Sequence, residues 1–178
     1  MFWKILLEAC RLLFHTNRWE RIRNDFRRYR ARVKRKNHLF SEEEIKRKST
    51  RVRAYPWKLF IDTFPACNLE CPFCPTGNGA SNLEKKRLTP EMFLKVMERL
   101  PLQYVESVSF FTWGEPFLNK DLPSYIRYIK KLDISTDLHS NLSHAEFDDA
   151  LCEEIVLCGL DELFASIDGA SSTSYAQY

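Results

Sequence analysis

From Trp57 onward the sequence alternates strand-like and helix-like runs with short connections, and nothing else in it limits the fold as strongly. "WKLFIDTF", "YVESVSFF", "DISTDLHS" and "DELFASID" read as strands. "TPEMFLKVMERL" reads as a helix with Thr89 as N-cap and Pro90 at its first position. "DLPSYIRYIKKL" starts at Asp121 and ends on Lys130 and Lys131, in accord with the helix dipole. "SHAEFDDALCEEIVLCG" opens with a capping box of Ser143 and Glu146 and closes on Gly159. "SSTSYAQY" begins a further helix. Repeated βα units predict an α/β fold with a parallel sheet and right-handed crossovers. Four such units make part of a barrel, whose fourth strand is left with an open edge.

Three cysteines, Cys67, Cys71 and Cys74, share the loop "CNLECPFC" just after the first strand, spaced C-x3-C-x2-C. A chain of 178 residues, 44% hydrophobic, holds one compact core without disulfides. A disulfide within the loop would leave an odd thiol. A closed zinc site wants four ligands, and the nearest nitrogen donors, His38 and His139, lie outside the loop. A four-iron cluster ordinarily takes four thiolates, so three leave one iron open to a small molecule. On spacing alone these remain alternatives. Cys10, Cys152 and Cys158 read as small buried hydrophobes on helices, and His139 and His144 as surface or packing histidines.

The loop resembles the C-x3-C-x-Φ-C signature of the radical S-adenosylmethionine (radical SAM) enzymes, with Phe73 as the aromatic position. "WGEP" (Trp113–Pro116) resembles that superfamily's G-E-P segment, although Trp113 stands where the family often has a second glycine. "HSNL" (His139–Leu142) resembles its T-N-G-type segment and "SIDG" (Ser166–Gly169) its fourth-strand S-x-D-G. All four fall at carboxyl ends of expected strands, the rim on which parallel α/β sheets build their sites. The resemblance covers residues 57–178 and lies nearest the branch that often carries a C-terminal SPASM auxiliary-cluster domain.

The resemblance implies a partial parallel (β/α) barrel of the radical SAM type. Cys67, Cys71 and Cys74 would each bind one iron of a [4Fe-4S] cluster, leaving the fourth iron to S-adenosyl-L-methionine. Phe73 would pack near the adenine and Gly114 would let the backbone approach the cofactor. Glu115 would accept from the methionine ammonium. Ser140 and Asn141 would supply further polar contacts and Ser166 a ribose contact, while Asp168 equally shapes the turn before Gly169. The implied activity is reductive cleavage to a 5′-deoxyadenosyl radical that takes hydrogen from a substrate, a peptide or protein first and RNA second. A low-potential donor of the flavodoxin or ferredoxin type is implied as partner. The alternative is a chain, cut short after its fourth strand, that binds a cluster without turnover. No residue stands out as a catalytic acid or base.

Charge divides the chain in two. Residues 1–55 carry 17 Lys and Arg against 6 Asp and Glu, whereas residues 56–178 carry 10 against 18. The first segment reads as a basic helical extension, with an amphipathic stretch over residues 2–13 and a strongly basic one over 18–36. In the latter, Trp19, Ile22, Phe26, Tyr29 and Val33 recur at helical spacing. Docking on the rest of the chain, an anionic membrane surface and RNA phosphate are its candidate partners. No stretch reaches the ~20 apolar residues of a membrane span. Lys4, Glu8 and Arg11 interrupt any signal-peptide core. The expectation is a cytoplasmic protein, with peripheral membrane attachment left open.

Overall fold

The computed structural model describes residues 2–143 and 148–176, with side chains from Arg18 onward apart from Trp19. These fall into two compact units, Met1–Tyr55 and Pro56–Tyr178. The first is one helix, α1 (Phe2–Lys46), and a strap that turns back along it. The two helical stretches expected from the sequence are continuous, because no glycine or proline interrupts residues 2–46. Lys48, in the left-handed region at φ 50°, reverses the chain. Asn37 then brackets Tyr55: its Oδ1 accepts from the Tyr55 N–H and its Nδ2 donates to the Tyr55 carbonyl, both at 2.8 Å. Glu44 accepts from the backbone N–H of Arg53 at 2.6 Å, the main reason its carboxyl sits below the usual range. Ile22, Phe26 and Tyr29 of the apolar stripe are exposed. Among the described residues no helix is long and apolar enough to cross a membrane.

The second unit holds a sheet of four parallel strands in sequence order: β1 (Lys58–Phe60), β2 (Ser107–Ser109), β3 (Ser135–Ser140) and β4 (Glu162–Ala165). The strands are shorter than the sequence runs. Pairing of β1 ends with the Ile61 N–H on the Ser109 carbonyl, and beyond it the chain leaves the sheet to build the rim loops. Four helices follow: α2 (Pro90–Met97), α3 (Leu122–Lys131), α4 (Asp149–Leu157) and α5 (Ser172–Tyr175).

Thr89 caps α2 as expected, accepting from the Met92 N–H at 3.2 Å. Asp121 precedes α3 but makes no side-chain cap bond. The third helix is described from Asp149. Asp148 caps α4 by accepting from the Leu151 N–H at 2.8 Å, while Glu146 of the expected capping box lies outside the described residues. A reciprocal capping box forms at α5, between Ser171 and Ser174. Gly159, at φ 84°, ends α4 as foreseen.

Helices cover one face of the sheet. Val108 and Leu138 pack there with Phe93 and Met97 of α2, Tyr125, Ile126 and Ile129 of α3, and Ile155 of α4. Phe93 stacks on Tyr125 with ring centroids 4.5 Å apart. Each fully buried side chain of this kind contributes about 1.5–3 kcal/mol. Cys158 belongs to this core, as expected, but Cys152 is exposed, because it lies on the outer side of α4; the Cys10 side chain lies outside the described set.

The other face carries a row of rings. Phe60 meets Phe111 edge-on at 5.6 Å, Phe111 stacks on His139 at 3.8 Å, and His139 stacks on Phe164 at 4.4 Å. His139 is thus a packing histidine, as the sequence suggested. Below the rings, Asp137 accepts from Ser109 Oγ at 2.7 Å and pairs with Lys58 at 3.5 Å.

Candidate functional site

The rim is assembled backbone first. Gly114 lies so close to the end of the first strand that an added Cβ would sit 1.8 Å from the Phe64 carbonyl oxygen and 2.8 Å from Asp62 Oδ1. Asp62 accepts from the Thr112 hydroxyl and the Trp113 N–H, and the Glu115 N–H donates to the Ala66 carbonyl at 2.8 Å. The "WGEP" turn is therefore stitched to the residues leading into Cys67. The close approach that requires glycine at 114 within the chain is to its own backbone at Phe64.

Glu115 follows into the interior, only 3% exposed. Its Oε1 accepts from Ser140 Oγ at 2.7 Å and from the Phe117 N–H at 3.2 Å, and its Oε2 from the Asn141 N–H at 2.9 Å. A carboxylate offers about four acceptor sites, so one on Oε2 is left over. Asn141 extends the network. Its Nδ2 donates to Asn68 Oδ1 at 3.1 Å and reaches Cys67 Sγ at 3.5 Å, and its Oδ1 accepts from the Ser143 N–H at 2.8 Å. Three expected site residues, Glu115, Ser140 and Asn141, thus form one hydrogen-bonded unit touching the first cysteine. Leu142, at φ 54°, makes the turn behind them, with its N–H on Ser140 Oγ at 3.0 Å.

The cysteine loop winds tightly. The Cys74 N–H donates to the Cys71 carbonyl at 3.1 Å and the Asn78 N–H to the Cys74 carbonyl at 2.9 Å. A Cβ on Gly77 would lie 2.6 Å from the Cys71 nitrogen, so only glycine lets the coil close there. All three thiols are free and partly buried. Burial pushes the Cys67 thiol up, opposed by the Leu69 N–H and assisted by the charge of Glu115. Burial also raises Cys71, with further contributions from Cys67, Asp168 and Cys74.

Among the described residues no three Cys, His, Asp or Glu side chains group around a single ion. Three thiols on one loop suit a polynuclear cluster, in which each thiolate would bind a different metal. The raised Cys67 and Cys71 thiols suit such a group, since a cationic centre would hold them as thiolates. Thr76 Oγ1, in the same loop, is buried with no partner and is a spare donor.

The remaining expected residues are less engaged. Phe73 is 97% exposed. The Ser166 N–H donates to the Ser140 carbonyl at 2.8 Å, and the residue is exposed. Asp168 stands near enough to Cys71 to act on it electrostatically. Sequence reasoning missed Asn68, which bridges Asn141 and the Ser143 carbonyl, although its place inside "CNLEC" was a signal. It also missed Tyr175, whose hydroxyl donates to the Asn141 carbonyl at 3.3 Å and meets Ser143 Oγ at 2.8 Å.

Among solved structures, that of BtrN in complex with AdoMet and 2-DOIA is 19% identical. It superposes with a TM-score of 0.56 over 68% of this chain and 51% of BtrN. SeMet BtrN in an open conformation is 16% identical, with a TM-score of 0.56 over 68% of this chain and 55% of that one. Streptococcus suis SuiB bound to S-adenosylmethionine is 24% identical, with a TM-score of 0.45 over 56% and 22% of the two chains. The BtrN likeness is one of fold, and the chain spans about half the length of BtrN. Residues 61–177 match the Radical SAM superfamily. That match takes in the cysteine loop, strands β2 to β4 and the hydrogen-bonded rim, and the chain belongs to the radical SAM superfamily, whose enzymes bind a [4Fe-4S] cluster and S-adenosylmethionine.

Proposed function

We propose that Cys67, Cys71 and Cys74 hold a [4Fe-4S] cluster and that the adjoining rim binds S-adenosyl-L-methionine for radical chemistry. The observation that carries this reading is the bond line from Cys67 through Asn141 to Glu115, which ties a thiol trio to a buried carboxylate with one free acceptor site. Bound together, the cluster and S-adenosylmethionine supply a one-electron cleavage that yields a 5′-deoxyadenosyl radical for hydrogen abstraction. Glu115 binds the ammonium group through that remaining site on Oε2, and Ser140 and Asn141 keep its carboxylate oriented. The exposed Phe73 ring would cover the adenine, and the Ser166 hydroxyl would meet the ribose. Gly114 acts one step back, by setting the backbone that carries Glu115.

Superfamily members need a reductant and a substrate. For this chain we assign a flavodoxin- or ferredoxin-type donor. A peptide or protein is the first substrate class, on the motif resemblance to the SPASM-associated branch, and RNA the second. The basic stretch over 18–36 contacts RNA phosphate or an anionic membrane surface. Salt-sensitive RNA binding lost on deleting residues 18–36, or vesicle flotation lost on deleting residues 1–14, tells the two apart.

Anaerobic reconstitution should give a brown protein with cluster absorbance, and Cys71→Ala should lose most of its iron. Equal iron in the variant would sink the assignment. After dithionite reduction, the parent chain should release 5′-deoxyadenosine. A cluster without that release would instead support the second reading, cluster binding without turnover.

A further inference from the structure

Trp113 stands where the superfamily segment often has glycine, and its indole takes no part in the network around Glu115. It lines a groove of about 520 Å³ at the carboxyl rim, together with Pro65, Leu83, Lys86, Arg87 and Met92. Trp113, Leu83 and Met92 are each about half exposed, forming an apolar strip. The strip's lip is the run Leu83–Arg87, where Lys85, Lys86 and Arg87 are consecutive and exposed. Glu84 pairs with Lys86, and the other acid of the groove, Asp62, is occupied by Thr112 and Trp113, so the lip keeps a net positive charge. This stands out in residues 56–178, which carry 18 acidic residues against 10 basic ones.

The floor is rigid. The Leu88 carbonyl accepts from Asn119 Nδ2 at 3.1 Å and from the Tyr125 hydroxyl at 2.6 Å, and the Leu88 N–H donates to the Thr63 carbonyl at 2.8 Å. Arg87 lies over the Phe64 ring at 5.2 Å. An aromatic and methionine centre inside a basic border, on a preformed floor, has the make-up of a protein interface. Position selects the partner: Pro65 is two residues before Cys67, and Gly114 and Glu115 follow Trp113 directly. Whatever sits in the groove lies beside the proposed cluster. It leaves the ring-lined face of the sheet free.

We propose that this groove is the docking surface for an acidic, low-potential one-electron carrier protein, which seats its apolar rim on Trp113 and its carboxylates on Lys85 and Arg87. The proposal rests on the cluster assignment above. A reduced flavin carrier would pass one electron to the oxidised cluster and leave as its semiquinone, so electrons balance without another reactant.

Flavodoxin is the probe. Its association with the reconstituted chain is read by flavin fluorescence anisotropy at low and at moderate salt. Cluster reduction by flavodoxin hydroquinone is followed separately from reduction by dithionite. Lys85→Glu, which disturbs no contact of the fold, and Lys85→Glu/Arg87→Glu should weaken association at least tenfold at low salt. They should slow reduction by the hydroquinone by a similar factor and leave iron content and reduction by dithionite unchanged. Leu83→Glu should do the same through the apolar strip. The docking assignment is overturned if the parent chain does not associate with flavodoxin. It is equally overturned if the variants associate and are reduced like the parent, or if association follows residues 18–36 instead. Failure of dithionite itself to reduce any cluster would overturn the cluster assignment, a separate result.

Discussion

At Gly114 a single hydrogen atom decides whether the rim can close. A Cβ there would stand 1.8 Å from the Phe64 carbonyl, and both partners are backbone held in place by neighbouring bonds. Gly114→Ala should therefore cost about 1–3 kcal/mol, in the range of overpacked interiors, read as a lower urea midpoint. Glu115 makes the complementary case for charge. In Glu115→Gln the new amide must turn its NH2 toward either the Asn141 N–H or the Ser140 hydroxyl and Phe117 N–H pair, setting donor against donor. A loss of about 1–3 kcal/mol follows from the unsatisfied group. If urea denaturation shows Gln tolerated without loss, the network is not built around a carboxylate. Both residues could be picked out from "WGEP" alone, but their tasks could not. Pattern shows that a glycine is needed; which atom crowds it depends on where Phe64 lies fifty residues earlier in the chain.

Elements were legible where local chemistry is self-sufficient. Thr89 and Pro90 start α2, Gly159 ends α4, and the alternation from Trp57 yields four parallel strands. Errors arose where a longer-range partner overrides the local signal. Ser143 looks like a helix cap, yet its N–H goes to Asn141 Oδ1 and its hydroxyl meets Tyr175, partners that local sequence does not show, while Asp148 caps α4. Asp161, just before β4, shows such a partnership within the fold. It accepts from the Thr136 N–H at 2.7 Å and from Lys130 Nζ at 2.6 Å, joining β4 to β3 and to the end of α3. Burial alone would raise its carboxyl, but the Lys130 and Thr136 bonds outweigh burial and hold it below its ordinary value. The sign follows: the contribution is present above the unfolded carboxylate pKa and disappears as pH falls through the folded one. Acid titration of stability should accordingly be shallower in Asp161→Asn than in the parent between about pH 4 and pH 2. Parallel curves would remove Asp161 as the linkage between these elements.

At the scale of the second unit, helices cover one face of the sheet and the row of rings lies on the other. Among the described residues β4 pairs only with β3, and Leu163 and Phe164 are about half exposed on it. An apolar strand edge of this kind invites pairing with another chain. Leu163→Lys should shift self-association, followed by light scattering, to higher protein concentration; an unchanged profile would place the sticky surface elsewhere. The row Phe60, Phe111, His139 and Phe164 has a calorimetric consequence as well. Rings stacked on each other are already ordered, so covering them costs little configurational freedom. The water over their outer side still has to leave. Any molecule that settles on that face should do so with a negative heat-capacity change scaling with the ring area it covers, even where its enthalpy and entropy at one temperature say nothing about which surface it chose.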